Sequence, residues 1–247
     1  MKLPAPRPDW ALFFDIDGTL IELAPTPDAV TVPAALRADL AALHRSLAAV
    51  ALVSGRSLDS IDALFRPLIL PASGQHGAEA RIDDQTMTVP PLPALRAMLV
   101  PLREYAQRHP GILIEDKGNS VSIHYRQAPT LADEVATLTH SLTAGCSQLE
   151  VLSSKMTIDV KSRAFSKGDA IAWFMRRPPF AARVPVFLGD DRTDEAGFAA
   201  VNQRGGHSIR VGDNASSAAQ YSVDSPAAVR EWIAGLVCYY SQGGVRF

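Results

Sequence analysis

The sequence predicts an α/β fold: a doubly wound parallel sheet interrupted by an inserted α+β unit. Three observations carry this prediction. Apolar runs of four or five residues that end in a polar residue occur toward both ends of the chain, separated by helical patterns. After Gly77 the texture changes to alternating strands joined by tight turns. After Ser162 the first texture returns. Strand–helix alternation implies right-handed crossovers and hence a parallel sheet. Hairpins covered by two helices imply an antiparallel one. The expected organisation is one domain from residues 1–77 and 163–247, with 78–162 inserted into it.

The elements follow in order. Residues 11–14 form an apolar run closed by Asp15, as a buried strand with a polar C-terminal end would. Pro33 opens a helix over 34–47, with Leu36, Leu40, Leu43 and Leu47 on one face; proline suits the first helical position, where its missing N–H has no partner anyway. Residues 50–53 read as a second strand ending at Ser54, and 57–65 as a helix with Ser57 as its N-cap. A third strand is expected at 68–70, followed by Ser73-Gly74-Gln75-His76-Gly77. In the insert, hairpins are expected around Asp83-Asp84 and around Lys117-Gly118-Asn119. A third strand pair is expected at 149–152 and 156–160, and helices over 95–108 and 131–143. The chain then reads as helix (166–175), strand (184–188), helix (194–201), strand (207–211) and helix (227–237).

With 247 residues, 47% of them hydrophobic, the chain can bury a core in one or two domains. A net charge of -2 gives no general attraction to nucleic acid or to an anionic membrane, so an anionic substrate must be held by a few placed cations. Cys146 and Cys238 lack metal-ligand spacing and read as reduced thiols. No signal-peptide pattern opens the chain, and no stretch approaches the roughly 20 apolar residues that span a bilayer. A cytoplasmic monomer without nucleic-acid or membrane partners is expected.

Four signals carry chemistry. Asp15-Ile16-Asp17-Gly18-Thr19 sits where a buried strand ends, and ligands bind outside the carboxyl ends of strands in open α/β sheets. Two carboxylates so close repel unless a cation or shared proton relieves them; the bland alternative is an Asp-Gly turn. Gly189-Asp190-Asp191-Arg192-Thr193-Asp194 places three more carboxylates at another strand end. That is a poor choice for stability but suits a hard cation, although one or two of them could be helix caps. Lys167 opens a helix against its macrodipole, and Ser54 offers a hydroxyl at the second strand end. Alone, these last two would be a solvated lysine and a turn serine.

Together and in this order, the four resemble the haloacid dehalogenase superfamily of phosphohydrolases, with an insert similar to its type C2 cap. Gly189 to Glu195, with Gln75-His76-Gly77-Ala78-Glu79 and Lys117-Gly118-Asn119-Ser120-Val121, further resembles the trehalose-6-phosphate phosphatase family. One departure is Asp159, where that family often has a longer glutamate.

The resemblance implies a phosphatase in which Asp15 attacks phosphorus and Asp17 serves as acid and then base. The acid role asks for a carboxyl that holds its proton, a shift that neighbouring carboxylates could supply. It implies Mg2+ held by Asp15, the backbone carbonyl of Asp17, and Asp190. Lys167 and Ser54 would hold phosphate oxygens, with Gly55 and Arg56 in the same substrate loop. Asp194, and Asp191 beside it, would orient Lys167 or a metal-bound water. Glu115, Lys117, His124 and Arg126, read as alternating along neighbouring strands, would meet sugar hydroxyls together with Asp159; a solvated outer face is the competing reading. The implied partner is a small sugar phosphate, trehalose 6-phosphate. Sucrose- or mannosyl-phosphate phosphatases, a mutase and a non-catalytic sugar-phosphate sensor remain alternatives. His76 is expected to be structural, the other histidines at 44, 109, 140 and 207 to be on the surface, and the three tryptophans to be packing residues.

Overall fold

The computed structural model describes residues 3–24, 29–154, 156–213 and 216–241. The chain divides into two compact units, Met1–Met87 with Ser166–Phe247, and Thr88–Phe165. In chain order the elements begin with β1 (Trp10–Phe14), α1 (Ala34–Leu47), β2 (Val50–Val53), α2 (Leu58–Phe65), β3 (Ala72–Gly74), β4 (Glu79–Ile82) and β5 (Gln85–Thr88). Next come α3 (Pro93–Arg108), β6 (Leu113–Asp116), β7 (Ser120–His124), α4 (Ala132–Thr143), β8 (Leu149–Ser154) and β9 (Thr157–Ser162). The chain continues through α5 (Lys167–Phe174), β10 (Val184–Gly189), α6 (Glu195–Asn202), β11 (His207–Val211), β12 (Tyr221–Val223) and α7 (Pro226–Ser241).

The first unit is built on a sheet of order β12-β11-β10-β1-β2-β3-β4-β5. Its first six strands are parallel. Every residue of β1 is buried, and alternate residues serve different cores. Trp10, Leu12 and Phe14 pack with Leu36, Leu40 and Leu43 of α1 and with Val229 and Ile233 of α7. Ala11 and Phe13 pack with Phe174, Phe180 and Phe198. Period-two alternation thus makes a strand apolar throughout when helices cover both faces. Removing a ring such as Phe13 from such a core costs about 3–5 kcal/mol.

β1 lies between β10 and β2, with Phe14 opposite both Leu188 and Leu52. The Asp15 amide then donates to Leu188 O at 2.9 Å. This register sets the Asp15, Ser54 and Asp190 loops at one sheet edge, where the strand order reverses. Such a switch point leaves a crevice for a ligand.

Three expectations change here. The third strand is Ala72–Gly74, not 68–70: Pro71 has no N–H for the ladder and contributes only its carbonyl, accepting from Leu52 N at 3.0 Å, while pairing with β2 runs through Ala72 and Ser73 and Ile69 is exposed. The hairpin around Asp83-Asp84 extends the large sheet, because β4 pairs antiparallel with β3 and buries Ala80 and Ile82 in the second core. The edge strand β12, only three residues long, had no sequence signal. His44, His109 and His207 are half-buried rather than on the surface, whereas His140 is exposed.

The second unit is an antiparallel sheet of order β6-β7-β9-β8 with helices α3 and α4. Val121, Ile123, Ile158 and Val160 join Leu95, Met98, Leu102 and Val135 in its core. Alternation then sends Ser122, His124, Thr157 and Asp159 to the opposite face. The register sets Glu115 opposite Ser122, Ser122 opposite Asp159, and His124 opposite Thr157. Among the described residues no helix is long and apolar enough to cross a membrane, and Cys146 and Cys238 are both free thiols.

Candidate active site

The loop after β1 brings Asp15 to the sheet edge, 4% exposed. Gly18 turns this loop with φ +80°, and a Cβ there would lie 2.2 Å from Asp190 Oδ2. The glycine therefore serves two ends: a left-handed turn, and close approach of the β10 carboxylate. Lys167, first residue of α5, is 3% exposed and donates to Asp15 Oδ1 at 2.8 Å and to Asp194 Oδ1 at 2.6 Å. Its position against the helix dipole is explained by these two carboxylates. Thr19 Oγ1 donates to Asp15 Oδ2 at 3.4 Å.

The three acidic residues after β10 part company. Asp194 is fully buried, and its second oxygen accepts from the amides of Asp190 (3.0 Å) and Asp191 (2.9 Å). Both of its oxygens are thus engaged in fixing Lys167 and the loop. Asp191 caps the short helical turn 192–194, accepting from Arg192 N. Asp190 is left with its carboxylate beside Asp15: Asp15, Asp190 and Asp194 each offer an oxygen within 4.8 Å of the others. Arg210 backs this loop, donating to Asp190 O, to Asp191 O at 3.3 Å and to Glu195 Oε1 at 3.1 Å.

Electrostatics follow from this packing. Burial pushes the Asp15 carboxyl up, Lys167 pulls it down, and Asp194 and Asp190 push it up again; it ends well above the usual carboxylate range. Burial alone would lower the Lys167 ammonium, but Asp15 and Asp194 outweigh it and hold it above the ordinary lysine range. Arg210 is paired with Glu195, and Arg56 with Asp17. With all three clustered carboxylates ionised, the one ammonium would leave two negative charges in a dry site, which is why the Asp15 carboxyl is pushed up. Hard oxygen donors carrying that excess suit a divalent cation.

Asp17 is gripped by Arg56, whose Nε and Nη2 donate to its two oxygens at 2.6 and 2.7 Å. A two-pronged guanidinium contact fixes the orientation of the carboxylate. Arg56, expected in the substrate loop, is the residue that grips Asp17. Ser54 is buried, and its Oγ accepts from Arg56 N at 3.2 Å across Gly55.

In the second unit, Lys117 Nζ donates to Ser122 Oγ at 2.8 Å and lies 3.5 Å from Glu115 Oε2. Ser122 Oγ donates to Asp159 Oδ1. His124 Nε2 meets Glu115 Oε2 at 2.9 Å, and its Nδ1 meets Thr157 Oγ1 at 3.2 Å. Glu115, Lys117, His124 and Asp159 are thus joined into one polar stripe through Ser122. Arg126 lies beyond the end of β7 in an exposed turn, so strand alternation does not carry it; Lys117 also follows the end of β6, yet its long stem reaches the stripe. Sequence reasoning missed Ser122, Thr157 and Arg210. Only the period-two alternation of β7 and β9 pointed toward the first two.

A profile of the trehalose-phosphatase family matches residues 13–227. The chain is 44% identical over 212 residues to the trehalose-6-phosphate phosphatase of Escherichia coli K12, spanning 85% of this chain and 80% of that protein. It is 43% identical over 235 residues to a Sinorhizobium fredii protein named "Probable trehalose-phosphate phosphatase", spanning 92% and 88% of the two chains. Among solved structures, the C-terminal domain of C. albicans trehalose-6-phosphate phosphatase superposes with a TM-score of 0.85 over 94% of this chain and 93% of that one. At 20% identity that likeness speaks to the fold alone.

Proposed function

The chain belongs to the trehalose-phosphatase family, and from that premise we propose that it hydrolyses trehalose 6-phosphate to trehalose and phosphate through an aspartyl phosphate, with magnesium bound. The observation that carries the reading is the buried cluster in which Lys167 bridges Asp15 and Asp194 while Asp190 stands beside Asp15. An oxygen of Asp15 attacks phosphorus as the bond to the sugar oxygen breaks, and Asp17 delivers a proton to that oxygen. Asp17 then takes a proton from a water that attacks the same phosphorus, and the bond to Asp15 breaks to free phosphate and restore the carboxylate.

Lys167 neutralises charge on the transferring group, and Ser54 donates to a non-bridging oxygen. Asp194 holds Lys167 in place and does not itself touch the phosphoryl group. Asp15, Asp190 and the carbonyl of Asp17 would hold the magnesium ion, which offsets the negative charge that phosphate brings to a carboxylate-rich site. Phosphoryl transfer is mostly positioning and electrostatics, which is why so many residues here serve only to fix others.

The stripe Glu115, Lys117, Ser122, His124 and Asp159 supplies donors and acceptors for sugar hydroxyls, so the second unit acts as the substrate-recognition cap. Asp159 acts there through Ser122. Two free thiols suit a reducing compartment, and a cytoplasmic monomer is part of this proposal.

The test is phosphate release from a set of sugar phosphates with magnesium and with chelator. Trehalose 6-phosphate should be turned over at least about tenfold faster than sucrose 6-phosphate or a mannosyl phosphate, a 1.4 kcal/mol preference of the size one or two hydrogen bonds supply. Preference for either rival would replace the substrate. Full activity in chelator would remove the metal.

A further inference from the structure

The turn Gln75-His76-Gly77 takes no part in the chemistry above, yet it is held in an unusual shape. Its φ values are 49°, 58° and 108°, left-handed at three successive residues. Two non-glycine residues persist there only when their surroundings over-determine them.

Those surroundings are the loop that carries Ser54. Gln75 N donates to Arg56 O at 2.8 Å, His76 N donates to Ser54 O at 3.0 Å, and Ser54 N donates to Ser73 O at 2.9 Å. Glu79 Oε1 accepts from Leu58 N at 2.7 Å, at the start of α2. Residues 73–79 thus grip residues 54–58 at both ends. On the turn's other side a Cβ at Gly77 would lie 2.3 Å from the carbonyl of Ser166, the N-cap of the helix that begins with Lys167. The turn therefore fills the space between two loops that both serve the phosphoryl group.

Gly55 reveals what the His76 ring does. The backbone of Gly55 is not left-handed, so alanine could adopt it. The obstacle is the ring: a Cβ at residue 55 would lie 2.6 Å from His76 Cε1 and 2.7 Å from Nε2. His76 is 5% exposed, and its own backbone is tied to Ser54, so the ring has no easy retreat.

We infer that His76 is a positioning residue, whose ring seats against Gly55 and fixes where the Ser54 hydroxyl and the Arg56 clamp on Asp17 stand. The inference rests on the phosphatase reading and adds to it a residue that touches neither substrate nor metal.

A double-mutant cycle tests it, with Gly55→Ala, His76→Gly and the pair. Glycine at 76 removes the ring and accepts the left-handed backbone. The readouts are kcat and KM for trehalose 6-phosphate, the Kd of inorganic phosphate by calorimetry with magnesium, and the thermal midpoint. Displacing a loop by about 1 Å costs on the order of 100-fold in rate. Gly55→Ala should therefore lower kcat about 100-fold and weaken phosphate binding, while His76→Gly should lower kcat about tenfold. In the pair the alanine has room, so the loss should equal that of His76→Gly alone instead of the product of the two. Losses that multiply would overturn the inference, as would lowered thermal midpoints with unchanged kcat and phosphate Kd.

Should Gly55→Ala fail to fold, His76→Asn serves: asparagine tolerates the left-handed backbone but leaves part of the seat empty. An intermediate kcat is then expected, and wild-type kcat with wild-type phosphate binding would overturn the inference. If the unaltered protein fails on trehalose 6-phosphate, the substrate reading falls separately, and the cycle is read on phosphate binding and p-nitrophenyl phosphate.

Discussion

The two units hold their charges in opposite ways. In the first, Asp15, Lys167, Asp190 and Asp194 are 0–4% exposed, and their charges do not balance. In the second, the side chains of Glu115, Lys117 and His124 keep 35%, 13% and 20% of their surface, and each is paired within the stripe. A dry, unbalanced cluster costs stability and gains most from an arriving cation. A half-wet, self-paired stripe can exchange its hydrogen bonds for those of a hydroxylated ligand at little cost, because water already competes for them. The difference fits the proposed division, in which the first unit acts on the phosphoryl group and the second meets the sugar.

The sharpest break of this contrast is Asp15→Asn. It removes the nucleophile, so phosphate release should fall by at least about 10⁴-fold. It also removes one of three crowded negative charges, so the thermal midpoint should hold or rise. Residual turnover near wild type would end the covalent mechanism.

A pair of lysine variants then sets the units against each other. Lys167→Met leaves Asp15 and Asp194 buried without their cation, a loss of about 3–5 kcal/mol in chemical denaturation, and turnover of every phosphate ester should collapse. Lys117→Ala should cost about 1 kcal/mol of stability, as partly solvated pairs do. Trehalose 6-phosphate turnover should nevertheless fall about 10–100-fold, the worth of a charged hydrogen bond, while p-nitrophenyl phosphate stays within about threefold. Equal losses on both esters would take the sugar-contact role from Lys117.

How much of this was legible in the sequence also divides by unit. Asp15, Ser54 and Asp190 could be located because each follows an apolar strand, and a parallel sheet gathers such ends at one edge. What the residues do to each other was less visible. Arg56 read as a substrate-loop residue, yet it clamps Asp17, because an ion pair 39 residues apart depends on how two loops meet. Asp194 was expected to orient Lys167 or a metal-bound water; the structure has it accept from Lys167, and its two amide contacts, which fix the loop, had no sequence signal. In the second unit the strands and their alternation could be read, but not their register. Ser122 went unnoticed because a serine in a strand announces nothing until Asp159 stands opposite it. Arg126 lies past the end of β7, so the alternation argument does not extend to it. Arg210 had no local signal, since its partners are backbone carbonyls of a loop that follows another strand.

The smallest expected effect concerns Glu115. Burial pushes its carboxyl up, but His124 and Lys117 outweigh burial and push it down to about 2, against an ordinary value of 4.5. A depressed folded-state value means that the unfolded chain takes up this proton first as pH falls. The contribution of Glu115 to stability is therefore complete above about pH 4.5 and is lost as pH drops from there through about 2. Its side chain keeps a third of its surface, so water screens the interaction and the gain is modest. Thermal midpoints of the wild type and Glu115→Gln, compared at pH 6, 4.5 and 3.5, should differ most at pH 6 and converge toward pH 3.5. A gap that stays constant would mean that the glutamate acts by shape, not charge, and the stripe would then lose its claim to be an electrostatically organised surface.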